Sequence, residues 1–255
     1  MQREEFIQQL WLDFIHQHPE IAGLRLWPLD APVEYLALLT LNHRQHGMDA
    51  LLPSLAHFGY SIRHCHAMAD RGLLVNLLAP PDAGPWLAVA ELQMGTLARR
   101  PRALLEGLVD EAPESAHRGA ISLCQGRPWP MPDWESYQAL HQAHPLAALL
   151  AVNGPRLHHA GYDCQHLEAP LEELHRGMEE AGLAGTDDRH HGLFPISPLV
   201  DYRFYPTGSR RQPFAAGDEH RIETGGIALV QKSVSAHQER VVELLLPHHT
   251  RCQLS

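Results

Sequence analysis

The chain has 255 residues, enough for one large domain or two modules sharing a core, and 44% of them are apolar, as in a globular protein. A formal charge of −10 excludes a general nucleic-acid binder, which would present a basic face. No run reaches the roughly 18 apolar residues of a membrane span, the charged start "MQREEFIQQL" lacks a signal peptide's apolar stretch, and four scattered cysteines form no CxxC pair; the expectation is a reduced, cytoplasmic protein without a zinc ribbon.

Along the chain, "EEFIQQLWLDFIHQH" has apolar residues at Phe6, Ile7, Leu10, Trp11, Phe14 and Ile15, a spacing that predicts a helix closed by Pro19. "VEYLALLTL" reads as a strand, and "GMDALLPSLAHFGY" as a helix leaving at Gly59. "GLLVNLLAP" and "PWLAVAELQM" are two strands split by the turn "PPDAGP". "LARRPRALLEGLV" is helical, "GRPWPMPDW" is a connector, and "DWESYQALHQAHPLAALLAVNG" is helical on both sides of Pro145, with Gly154 as C-cap. The order then recurs. "RLHHAGYDC" is a strand, "PLEELHRGMEEAGL" a helix, "LVDYRFYP" and "EHRIETGGIALVQ" are strands, and "SAHQERVVELLL" closes as a helix.

This repetition predicts an α+β fold of two βαβββ-like modules enclosing one cavity, with flanking helices. The expected segments are 1–29 (helical), 30–110 (first module), 111–149 (connector and helix) and 150–255 (second module with its C-terminal helix). His159 lies 23 residues before Gly182, and the same stretch back from Gly59 reaches Leu36 or Tyr35, so position 35 is the expected counterpart of His159. On the two last strands the expected counterparts are Glu91 and Glu223.

The stretch "GPRLHHAGYDC" carries adjacent histidines. Strand alternation predicts that His159 faces the interior and His158 the opposite side. Two histidines and one carboxylate on one face suit non-heme iron, so His159 and Glu223 are metal candidates; a hydrogen-bonded core histidine and a surface glutamate are the plainer alternative. His43, on the same strand face as position 35, is a further candidate ligand, with His64 and His66 of "RHCHAM" behind it; polar side chains turned outward on an edge strand explain the latter equally. The pairs His190–His191 and His248–His249 sit in turn-like sequence and read as exposed. No GxGxxG, GxxxxGK[ST] or GxSxG motif occurs.

The chain resembles the 2-oxoadipate dioxygenase/decarboxylase family, iron(II) enzymes related to the vicinal-oxygen-chelate proteins, over most of its length. "GPRLHHAG" is similar to that family's "GYRxNHFT" strand through Gly154, Arg156 and His159, with His158 in place of Asn. "HRIETGGIA" resembles "YxEFxxRG" at Glu223, without the aromatic neighbours and the Arg. "VAEL" resembles "FISEL" through Glu91 and Leu92, and "EYLALLTL" resembles "DHIAxRTF" through Ala37, Thr40 and Leu41. The resemblance implies Fe(II) as cofactor, His159 and Glu223 as ligands, Glu91 orienting a ligand or water, and oxidative decarboxylation of a 2-oxo acid to a shorter 2-hydroxy acid.

Two family positions are altered. The first iron-binding His corresponds to Tyr35, a doubtful third ligand, and the substrate-binding Arg corresponds to Leu39, which cannot clamp a carboxylate. Arg156, Arg44 and Arg63 are the possible replacement anchors. Two functions therefore stand open: a divergent dioxygenase/decarboxylase acting on a small 2-oxo acid such as 2-oxoadipate, or a non-catalytic member binding a small molecule or partner in the same cavity. An isomerase or extradiol-type activity is a third. Neither nucleic acid nor membrane is an expected partner, and the sequence leaves the oligomeric state open.

Overall fold

The computed structural model describes residues 2–28, 30–113, 119–186, 193–234 and 238–252. His190, His191 and residues 235–237 lie outside this set.

The amphipathic N-terminal segment forms α1 (Arg3–Gln17), burying Phe6, Leu10 and Phe14; its Gln2–Glu5 capping box satisfies the first orphan amides. Pro19 ends it and opens the short α2 (Pro19–Ala22). The first module follows as β1 (Tyr35–Leu41), α3 (Met48–His57), β2 (Ser61–Met68), β3 (Leu73–Ala79) and β4 (Trp86–Leu92). Next come α4 (Arg99–Asp110), α5 (Trp134–Ala143) and α6 (Pro145–Asn153). The second module contains β5 (Arg156–Asp163), α7 (Leu171–Glu180), β6 (Val200–Pro206), β7 (Arg210–Pro213), β8 (Glu219–Ile222) and β9 (Gly226–Lys232). The α+β expectation and the repeated strand–helix–strand order hold.

One seven-stranded sheet runs β2-β3-β4-β1-β5-β9-β6. At its centre β1 and β5 pair antiparallel, Tyr35 opposite Gly161 and Ala37 opposite His159. On each side the next pair is parallel (β1–β4, β5–β9) and the one after it antiparallel (β3–β4, β6–β9). The order is thus mirrored about the centre, as twofold-related modules require. The second module departs from the first at its outer edge and by an added hairpin, β7–β8. Where β2 would recur, the described residues form a single bridge, between Thr186 and Phe204.

Alternation along β1 and β4 splits the core in two. Tyr35, Ala37, Leu39, Ala88 and Ala90 pack with α4, α5 and α6 on one face. Leu36, Leu38, Leu87 and Val89 pack with α1, α3 and α7 on the other. Such strands, apolar on both faces, are what a doubly covered sheet demands.

Two sequence expectations require correction. "EHRIETGGIALVQ" is two strands, because the chain breaks pairing at Glu223–Gly225 and β8 turns away to form a separate hairpin with β7. The expected C-terminal helix is, among the described residues, a single 3-10 turn at Val241–Leu244; paired β-branched residues and the following Pro247 disfavour a longer helix.

Candidate functional site

The expected alternation at His158 and His159 fails for a local reason. Ala37 is opposite His159 while Leu38 is opposite Leu157, so His158 is the extra residue of a β-bulge. The bulge turns both imidazoles toward the same side, where their Nδ1 atoms stand 2.9 Å apart and both rings meet Phe204. His159 is 0% exposed and His158 is 8% exposed.

Tyr35 is the second component. Its ring lies over Gly161, where any Cβ would collide with it, and its hydroxyl is 3.3 Å from His159 Nε2. Burial pushes the phenol well above its ordinary range, with Tyr202 and Glu34 adding to the effect. Burial, followed by the neighbouring His158, pushes His159 well below the ordinary imidazole value. Both groups are therefore neutral. The proton arrangement consistent with both contacts has Tyr35 O–H donating to His159 Nε2, and His159 Nδ1–H donating to His158 Nδ1. Phe194 and Phe204 close over His159.

The remaining sequence candidates are dispersed. Glu223 is exposed, in the break between β8 and β9. The residue of β9 beside His159 is Gly226, and a Cβ there would stand 2.7 Å from the Phe204 ring. The next position on that face, Ala228, is apolar. Glu91 points to the other face, where Oε1 accepts from the Met48 amide at 2.7 Å and Oε2 accepts from Gln93 Nε2. Its counterpart is not Glu223: Tyr35 aligns with Trp86 as His159 aligns with Gly226, which sets Glu91 against Gln231. Gln231 does the same work, its Oε1 accepting from the Leu171 amide at the start of α7. His43 lies beyond the end of β1, 3.6 Å from Asp110 and stacked on His46. Arg156 is held by both carboxylate oxygens of Asp13 at 3.0 and 3.1 Å. Arg44 and Arg63 are exposed. On β2, an edge strand, His64 and His66 bond Arg251 and Thr250 of the C-terminal segment.

The His159 surroundings do not fit iron. Both ring nitrogens are used internally, the counterpart position on β1 is a phenol whose pKa burial pushes up, and no carboxylate extends from β9 on that face. A different group could hold a metal: Glu34, Asp163 and His166 each offer one ligand atom, all within 4.8 Å of one another. Here too Glu34 is already neutralised by Arg240, at 2.5 and 3.2 Å, and accepts from the Val242 amide. Sequence reasoning missed this cluster, although Glu34 adjoins Tyr35 and Asp163 lies in the same "GPRLHHAGYDC" stretch as His159.

Beside His158 opens a pocket of about 470 Å³, lined also by Tyr137, His141, Phe204, Arg221 and Glu223. It combines apolar walls with one cation, one carboxylate and two imidazoles, a composition suited to a small polar ligand.

No protein-family model matches the chain, and no curated protein sequence matches it. Solved structures do. A protein from Shewanella frigidimarina termed a hydrolase superposes with a TM-score of 0.79 at 19% identity, over 92% of this chain and 94% of that one. The hydroxyglutarate synthase of Oryza sativa, solved in complex with 2-oxoadipate, gives a TM-score of 0.79 at 17% identity, over 98% and 87%. A protein from Ralstonia eutropha termed a glyoxalase-superfamily member gives 0.71 at 14%, over 90% and 82%. The chain has the fold of these three proteins.

Proposed function

We propose that this chain is a non-catalytic representative of its fold that binds a small 2-oxo acid in the pocket beside His158, without iron chemistry at His159. The observation that carries the reading is the Tyr35–His159–His158 chain set against Gly226: a histidine with both nitrogens engaged and, among the described residues, no carboxylate beside it is a structural group. The choice of ligand rests on the likeness to the rice enzyme, whose structure holds 2-oxoadipate, and on Arg221 in the pocket wall. The test is calorimetry under argon. The expected result is 2-oxoadipate binding in metal-free buffer, weakened about tenfold or more by Arg221→Ala, and no Fe(II) binding that depends on His159. Stoichiometric Fe(II) binding lost in His159→Ala, with release of carbon dioxide from 2-oxoadipate once dioxygen is admitted, would overturn it.

The second reading is a metal-dependent dioxygenase/decarboxylase, favoured by the Glu34, Asp163 and His166 cluster. A divalent metal there would polarise a bound 2-oxo acid. Metal binding abolished by Asp163→Asn but untouched by His159→Ala would favour it.

A further inference from the structure

The segment between α4 and α5 borders a second, smaller cavity of about 190 Å³, bounded by His46, Ser122, Gln125, Gly126, Arg127 and, at the entry to β5, Pro155. It shares no lining residue with the His158 pocket.

Three features of its wall are unusual. His46 is 1% exposed and neither ring nitrogen has a hydrogen-bond partner. The ring is fixed between Trp129 and His43, with centroids 5.6 and 5.4 Å away, and the His46 carbonyl is tied to the Thr40 hydroxyl at 2.5 Å. Burial, with His43 second, holds its pKa down at about 4, so at neutral pH it offers one N–H and one bare nitrogen. Buried polar atoms are rarely left in that state.

Arg127 is the second feature. Its Nε donates to Trp129 O at 2.8 Å, and Nη1 donates to Val152 O at 2.7 Å and contacts Met131 Sδ at 3.1 Å. All three are neutral acceptors, and no carboxylate pairs with it among the described residues. Burial and then Arg156 push its pKa down, as expected of a guanidinium lacking a counter-charge. The third feature is Arg156 itself. Its guanidinium abuts Gly126, where a Cβ would stand 2.7 Å from Nη2, and its Nε is buried without a partner. Asp13 balances Arg156; nothing described balances Arg127. Among the described residues, no acidic one lines the cavity.

We propose that this cavity is a binding site for a small oxyanion, a carboxylate or phosphate group, with Arg127 supplying the charge and His46 a neutral N–H donor. A half-buried cation without an acid partner is the situation in which a bound anion gives most, and a planar guanidinium beside a fixed imidazole suits the oxygens of such a group. The backbone is built closely around it: Gly154, at φ +70, leaves no room for a Cβ against Arg127.

The test is thermal unfolding of the full chain at pH 7.5 and constant ionic strength, with chloride replaced by acetate or by phosphate. At anion concentrations well above Kd the melting temperature is expected to rise by about 3–5 °C. A rise with phosphate alone assigns a phosphate site, and a rise with acetate also assigns a carboxylate site. His46→Phe fills similar space without the orphaned nitrogens; it is expected to melt no lower than the parent in chloride and to lose at least half of the anion-dependent rise. Arg127→Met should lose all of it, and where that variant does not fold His46→Phe decides alone. No rise in the parent with either anion, or a rise undiminished in His46→Phe, overturns the proposal.

Discussion

Tyr35, His159 and His158 form a proton-ordered chain in the centre of the sheet, and its value is measurable one atom at a time. Tyr35→Phe removes the hydroxyl that occupies His159 Nε2 and leaves that nitrogen buried and unsatisfied. The expected loss is about 1–3 kcal/mol of stability in urea unfolding, with the fold retained because the ring still covers Gly161. Four histidines share the buried, neutral condition: burial, the leading cause in each case, holds His18, His46 and His66 at about 4, and His159 well below its ordinary value. The unfolded chain binds their protons near pH 6.5 and the folded chain does not, so the folded state is not penalised above that pH and loses stability as pH falls from about 6.5 toward about 4. The melting temperature should therefore be flat above pH 7 and fall steeply below 6.5, with unfolding at pH 5 taking up about three to four protons. Uptake of fewer than one would contradict this burial.

At the scale of elements, the two modules repeat a device rather than a sequence. Glu91 on β4 holds the first amide of α3, and Gln231 on β9 holds that of α7. Neutral and charged side chains thus do one job, the capping of a helix N-terminus from the adjoining strand. Glu91→Ala is expected to cost about 1–2 kcal/mol, and Glu91→Gln less than half as much, because Gln231 shows that an amide oxygen suffices; equal losses in urea unfolding would show that the charge, not the bond, matters. Sequence counting from the helix exits matched Tyr35 to His159, since helix and strand lengths are conserved between the modules in that half. The pairing of Glu91 with Glu223 on the two last strands failed because the β7–β8 hairpin is inserted before β9, and insertions of that kind leave no periodicity signal. The bulge at His158 was equally hidden: alternation is a rule of unbroken strands, and nothing in "RLHHAG" marks where pairing with β1 slips.

For the whole molecule, the described C-terminal segment is what closes the His159 face. From Arg240 it buries Val241, Val242, Leu245 and Leu246 in that core, then reaches β2, where Cys252 donates its amide to Cys65 O at 2.8 Å and His66 bridges to Arg251. No helical or strand period announces such a strap, so the sequence suggested a packed helix where an irregular chain is pinned at intervals. Its first pin is electrostatic. Glu34 has a side chain 0% exposed, and Arg240, 31% exposed, bonds both of its oxygens, with His166 3.8 Å away and Asp163 near enough that Glu34 helps raise its pKa. Removing one member of such a pair leaves a buried charge uncompensated, whereas removing both leaves an ordinary polar contact. Arg240→Met is therefore expected to destabilise by about 3 kcal/mol, and to raise the pKa of the Asp163 carboxyl further, because the negative charge of Glu34 then stands unopposed beside it. Arg240→Met combined with Glu34→Gln should recover at least half of that loss. A double-mutant cycle in urea reads the coupling directly; if the combined variant is as unstable as the sum of the two single ones, the pair does not pin the strap, and its apolar residues hold it alone.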